Sequence, residues 1–484
     1  GHVDLNTMNE YAIIGLGRGV AVVDVTEPES PTVIGAIEGR QAVWRDIKVY
    51  QYFSNAVNAW RAYAYVTTDG VSDGLMILDL NDLPNSVTLA NQTSTDAQAH
   101  NIYISNVDYA LNIALPDAEP QIHITGSNRF GGAWRSYSLS NQQAPEASFI
   151  PSGSTRSDYT HDASSVLIND GRAQRDCENA GQGPCTVMID FNEQSLRLWD
   201  HTNTDQAAEL AEVSYPNAHY THSGWWTEDK QYVVLHDELD ERDASLNTTV
   251  HFFDISDLNN PTLAATWEGP TRAIDHNGFV RGNRYYMSNY TRGLTVLDIA
   301  DPLAPSEIGH FDTYPASDQT GFSGAWGVYP YLPSGNILVS DIQGGLYVIQ
   351  DGTVDESANT VAFEVEEIEA SAGNTLTVNV ERAGTGAMTV DVEMIDGSAG
   401  ESDYTRSAAT LSWADTDTTA KTIEIPIAGN SESETDEVFF VKLVNPKGGN
   451  VVPGKSMAFV TINSENVLPG KAVFSDTTVT YKET

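Results

Sequence analysis

The sequence predicts an all-β chain whose residues 1–351 form a β-propeller, of seven blades or, as the alternative, six. Three observations predict it. Short runs rich in Val, Ile, Tyr and Phe, bounded by Gly, Asp, Asn or Pro, recur along the chain and read as strands. No segment beyond about three turns carries a helical period. A strand–Asp–turn–strand element repeats, with a second, polar element between its copies, and the spacing is that of a four-stranded blade.

The first element recurs as GVAVVDVTEPESP, GLMILDLNDLPNSV, TVHFFDISDLNNP and GLTVLDIADPLAP. In each, an Asp closes the strand. Its short carboxylate accepts from backbone N–H groups just ahead and caps a turn, while Pro fixes φ nearby. The second element aligns on Arg45, His100, His161, His222, His276 and Trp326, at intervals of 50 to 61 residues. Each copy opens an inner strand, so six inner strands are visible. The chain begins with EYAIIGLG and GVAVVDV, a unit that lacks its inner strand. With seven blades that strand is expected at or before Gly1. With six, the N-terminal strands complete the last blade.

Inner strands line a propeller's channel, so His100, His161, His222 and His276 are expected to approach one another near one end. Imidazole is the commonest protein ligand for transition metals. Asp162 follows His161, and the HDELDE run brings Asp237 and Glu238, then Asp240 and Glu241, to the same face. Asn289, Tyr290 and Arg292 are expected to join from the next blade and Asp341 from the last. This face suits a transition metal through nitrogen or Ca²⁺ through oxygen. Two other readings stand beside it. One is a metal-free belt in which each His bonds the neighbouring blade's backbone. The other is a polar small-molecule pocket. Arg45 and Trp326 in the same register show that the position does not demand a ligand.

The VVDV, ILDL and VLDI elements resemble LVIVD repeats. With WRDIKVY, YTHDA, HDELDE, DHNGFV, SNYTRGL and GAWGVYPYLPSGNILVSD, residues 1–350 resemble the bacterial choice-of-anchor B family of surface proteins. That resemblance implies an exported, surface-attached protein and implies no reaction. After Gln350 the texture changes. Residues 352–357 read as a polar linker. Residues 358–465, carrying GSAGESDYT, TLSWADTDTTAKTIEIPI, NSESETDEVFFVKLVNP and AFVTINSEN, resemble a Calx-β domain, which implies an Ig-like antiparallel sandwich. The resemblance implies Ca²⁺ ligands at Glu366, Asp403, Glu434 and Glu437. The sequence departs from calcium-sensing members at the domain's end, where NSEN replaces an acidic run. The blander reading has Asp403 capping a turn and Tyr404 packing. Residues 466–484 are a tail or the start of a further module.

Composition narrows the function. Lys and Arg total 25 against 67 Asp and Glu, a net charge of −42. That excludes the basic footprint of a nucleic-acid binder and disfavours anionic membrane surfaces. Cys177 and Cys185 flank a Gly- and Asn-rich loop and read as a disulfide, with free thiols the alternative. A disulfide places the chain in an oxidising compartment. No leader is visible and no apolar run reaches the roughly 18 residues of a membrane span. The chain is read as a processed form whose anchor lies outside it. G-x-S-x-G, H-E-x-x-H and P-loop patterns are absent, so catalysis rests on the His ring alone and the reading leans against it. The expected function is an extracellular or cell-surface binding or adhesion protein. Its partner is a protein, polymer or surface ligand, or neighbouring subunits of an assembly. The alternatives are a secreted metal-dependent oxidase or hydrolase and a purely structural component of an extracellular assembly.

Overall fold

The computed structural model describes residues 1–94, 96–151, 158–429 and 435–463. The chain is all-β. Through Gln350 the described residues form seven successive antiparallel sheets, six of four strands and a last one of three, and a two-stranded hairpin of Val107–Asp108 and Ile113–Ala114 besides. Their inner strands line one channel: Arg45–Ser54, Asn101–Ser105, Asp162–Ile168, Thr221–Trp226, Gly278–Arg281 and Ala325–Tyr329 in sheets 2 to 7.

The expectation that the first unit lacks an inner strand is corrected. His2–Val3 pairs with Glu10 and Tyr11 and completes sheet 1. Two paired residues are shorter than any run that periodicity detects. Beyond them, Ala12 to Gly15 of the next strand line the channel directly.

The repeating Asp does what its position predicts. Asp24, Asp79, Asp254 and Asp298 each end the third strand of a sheet. Each accepts from the backbone N–H two residues on, at 2.8 to 3.0 Å. These third strands are buried along nearly their whole length. The sheets stack face to face, so both faces of a central strand are covered and its sequence reads as an unbroken apolar run. The outer strands, with one face in water, alternate instead. In sheets 1 to 6 a register shift interrupts the pairing of third and outer strands. A bulge at this place adds twist. The ring closes where Ala12, Val23 and Val25 of sheet 1 pack on Leu332 and Leu338 of sheet 7. Glu10 accepts from the Ser334 N–H at 2.7 Å across the same seam. Cys177 and Cys185 are disulfide-bonded, with 2.05 Å between sulfurs.

His251, on the third strand of sheet 5, is buried beside Tyr215, and its Nε2 has no hydrogen-bond partner. Burial, and then nearby His236, lower its pKa from 6.5 to about 4. The unfolded chain therefore binds a proton here that the folded chain rejects. The corresponding stability is present above pH 6.5 and lost as pH falls from 6.5 towards 4, in total about 3 kcal/mol. Denaturant unfolding at about pH 7 and about pH 4.5 is expected to show a smaller acid loss in His251→Gln, by about 2 kcal/mol. An unchanged acid loss would contradict the assignment.

Strands from Thr360 to Asn463 form a four-stranded and a five-stranded sheet. Phe363, Val378, Val390, Trp413, Ile425 and Phe439 fill the space between them. The sandwich docks on the propeller. Lys442 pairs with Asp108. Glu228 accepts from the N–H groups of Gly282 and Asn445, both at 2.6 Å. Trp60 and Phe440 lie in one apolar cluster.

Candidate metal centre

His100 and His161 stand just before the inner strands of sheets 3 and 4, His222 is the second residue of that of sheet 5, and His276 lies two residues before that of sheet 6. The twist of successive sheets brings the four rings into one arc. Neighbouring centroids are 4.5, 4.2 and 4.3 Å apart in chain order. His276 meets Trp326 at 5.8 Å and closes the arc.

Three of the rings are held alike. Nδ1 of His161 lies 3.1 Å from the His222 carbonyl, that of His222 3.0 Å from the His276 carbonyl, and that of His276 2.6 Å from the Trp326 carbonyl. A carbonyl oxygen only accepts, so each Nδ1 carries the proton and donates it. Nε2 is then left as a lone pair. Burial above all, and then neighbouring imidazoles, hold all three rings well below the usual histidine pKa. They are neutral at about pH 7, the form that ligates a metal. The same bonds tie each sheet to the next, so the inter-blade belt and the ligand-ready ring are one arrangement. His100 differs: its Nδ1 pairs with Asp69 at 3.0 Å.

Glu238 reaches the free nitrogens. Its carboxylate oxygens lie 3.6 Å from His222 Nε2 and 3.8 Å from His276 Nε2. Ligand atoms of the three residues fall within 4.8 Å of one another. Ligands at about 2.0–2.1 Å around a tetrahedral ion stand about 3.4 Å apart, close to these separations. Tyr290 donates to Glu238 at 2.8 Å and lies against His276, and Tyr220 lies against His161. Sequence reasoning does not single out Tyr220. Its one signal is its place two residues before His222.

The remaining expected residues take other places. Asp237 faces away from Glu238 and accepts from His219 N–H, Tyr220 N–H and Tyr215 OH at 2.7 to 2.9 Å. Asp162 lies along the channel wall, where burial and Asp46 raise its pKa to about 7. Asn289 donates to the Ala273 carbonyl, Arg292 pairs with Glu307, and Asp341 accepts from two backbone N–H groups of its own turn. His236, two residues before Glu238, is saturated by Asp275 and Tyr285, each at 2.5 Å. Cys177, Cys185 and Asp200 also cluster, but the disulfide leaves no thiolate to ligate.

In the sandwich, Asp403 accepts from the Gly400 N–H at 2.8 Å and from Ser402. Tyr404 stacks on Phe439 at 3.9 Å. Arg406 reaches Asp396 and Glu401, placing the chain's own cation among these acids. Glu366 is engaged through its carbonyl by the Phe459 N–H, and Glu437 opens a strand. Glu434 lies outside the described residues, as do residues 466–484. Among the described residues, Glu366, Asp403 and Glu437 form no cluster fit for an ion.

Comparison with known proteins gives two family matches. A Calx-beta domain model matches residues 354–466 and an LVIVD repeat model matches residues 279–313. No curated protein matches. Among solved structures, the calcium binding domain CBD12 of CALX1.1 is 24% identical, with a TM-score of 0.21 over 22% of this chain and 45% of that one. A hypothetical selenium-binding protein from Sulfolobus tokodaii is 11% identical, with a TM-score of 0.43 over 70% of this chain and 89% of that one. A protein from Lactobacillus plantarum is 12% identical, with a TM-score of 0.46 over 71% and 96%. No helix of the described residues is long and apolar enough to cross a membrane.

Proposed function

We propose that this chain is an exported, surface-associated binding protein of the choice-of-anchor B kind, whose propeller captures its ligand through a transition metal held by His222, His276 and Glu238, with His161 adjoining. The observation that carries this reading is the orientation of the rings. Each Nδ1–H is fixed on the next sheet's carbonyl, which is how metal-ligating histidines are oriented by an outer partner. Their Nε2 atoms face one carboxylate. Three protein ligands leave a position for an oxygen or nitrogen donor from outside, as in open rather than structural metal sites. Neutral nitrogens with one carboxylate select zinc-like ions over calcium. The partner is an extracellular protein or polymer that presents such a donor. Calcium binding by the sandwich belongs to the same proposal on the strength of the Calx-beta match, with no ligand set assigned.

A second, enzymatic reading has one observation in its favour. Tyr290 holds a proton against Glu238, beside the place where a metal-bound ligand would sit. Metal analysis of the full chain, equilibrated with zinc or cobalt and desalted, is expected to give one ion per chain. Glu238→Gln, which keeps the shape and removes the charge, is expected to weaken binding about 10-fold or more. A wild-type chain that retains no stoichiometric ion would sink the proposal.

A further inference from the structure

Between the propeller and the five-stranded sheet of the sandwich lies a cleft of about 750 Å³ that the metal centre does not use. Cavities of this size that bind small ligands favour domain boundaries. His222 stands near the start of an inner strand and Trp226 ends it, so the cleft opens about 13 Å along that strand from the His arc. The propeller wall of the cleft is aromatic. Trp225 stacks on Trp226 with 4.1 Å between centroids, and Tyr103, Tyr109 and Tyr331 lie 5.2 to 6.2 Å from Trp225. The three tyrosine hydroxyls donate to main-chain carbonyls. Trp225 is 5% exposed, yet neither its indole N–H nor that of Trp226 donates to any group of the described residues.

The sandwich wall is polar. Val390 and Val392 fill the sandwich core, so Asp391 and Glu393, which alternate with them, turn out to the cleft. Asp391 accepts from Thr410 and Asn445 at 2.6 and 2.7 Å. Glu393 is exposed and accepts from no group of the described residues. Across the cleft stands Lys230, whose ammonium donates to the Leu167 carbonyl at 3.0 Å. Burial lowers the Lys230 pKa, and Glu393 is the first charge to oppose that shift. The two form no ion pair. The other cations of the cleft, Lys442 and Arg406, are engaged by Asp108, Asp117 and Glu401.

We propose that this cleft binds a neutral sugar unit of an extracellular polysaccharide, independently of the His centre. A pyranose ring offers a flat face of C–H groups that packs on an indole, beside hydroxyls that both donate and accept. One such hydroxyl accepts from Lys230 and donates to Glu393, which uses both walls at once. A bare carboxylate or phosphate would be repelled by Glu393, and a bare ammonium by Lys230. The free indole N–H groups take further hydroxyl oxygens. A purely apolar ligand would strip water from these donors and from Glu393 and give nothing back. The sugar is held from both domains, so its binding also fastens the sandwich to the propeller.

An array of neutral and acidic oligosaccharides, probed with the chelator-treated full chain, tests this. The wild type is expected to bind neutral oligosaccharides and to bind no acidic one more tightly. Titration of the best-bound neutral oligosaccharide, followed by tryptophan fluorescence, is expected to show affinity lowered about 10-fold or more in Trp226→Ala. Glu393→Gln, which keeps the shape and removes the charge, is expected to lose about 10-fold. Glu238→Gln, at the His centre, is expected to bind the sugar as the wild type does. Glu393 is exposed, so Glu393→Gln decides the matter should Trp226→Ala fail to fold. No neutral oligosaccharide bound, a preference for acidic ones, or unchanged affinity in Glu393→Gln overturns the proposal. A chain that binds the sugar but retains neither zinc nor cobalt overturns only the earlier reading.

Discussion

His276→Ala is expected to lower the affinity of the full chain for zinc or cobalt at least about 100-fold. Removing an outer-shell partner of a metal ligand costs roughly 10- to 100-fold, and removing the ligand itself costs no less. His276 places Nε2 3.8 Å from Glu238 and anchors Nδ1 on Trp326. Its loss opens one corner of the trio. The same substitution also cuts a bond between sheets, so a lower melting temperature alone would not distinguish a ligand from a structural tie. Two controls do. Added imidazole is expected to restore cobalt binding and its visible spectrum to His276→Ala. His100→Ala removes a ring of the same arc whose Nδ1 is turned to Asp69, and it is expected to change affinity less than about 10-fold. Equal zinc affinity in His276→Ala and wild type would reduce the arc to an inter-blade belt.

The second large effect lies in sheet 3. Arg135 and Asp96 form an ion pair with both side chains almost fully buried. The Arg135 guanidinium also donates to Ser127 and Tyr137 and stacks 5.3 Å from the Phe130 ring, while Tyr137 donates to Asp96. Asp96→Ala leaves a guanidinium in the interior without its counter-charge. Breaking a buried pair in this way costs about 3–5 kcal/mol, whereas replacing both partners by apolar groups is often close to neutral. Denaturant unfolding is therefore expected to show a loss of that size for Asp96→Ala. Asp96→Ala with Arg135→Met is expected to recover most of it. A loss below about 1 kcal/mol in the single variant would show that water reaches the pair.

The Asp-capped turns that end the third strands are specified locally. Asp24, Asp79, Asp254 and Asp298 cap their turns through contacts two residues away. Chemistry of that range is written in the adjoining residues. The register of His161, His222 and His276 is legible for a related reason: a repeat carries equivalent positions to equivalent places. The choice among the acids of HDELDE is not legible. Asp237 and Glu238 are neighbours, yet the first caps a turn inside its own sheet and the second crosses to two histidines. Asp240 and Glu241 would pass for a solvated helix start, yet both are buried, and Arg272, from the connection between sheets 5 and 6, donates to the Glu241 carbonyl.

An all-β chain, its repeat, a disulfide-capable loop, a change of module after Gln350 and a histidine at one register of successive units are all contained in the order of the amino acids. Each is a property of short segments or of their recurrence. The closure of the ring, the nitrogen left free on each histidine and the carboxylate that meets it are set by tertiary packing instead. The closing strand is two residues long and pairs with Glu10 and Tyr11, and Glu10 in turn reaches Ser334. The ring nitrogens are oriented by carbonyls 50 to 61 residues away. Such contacts depend on how sheets stack and twist, and no local pattern encodes a partner at that distance.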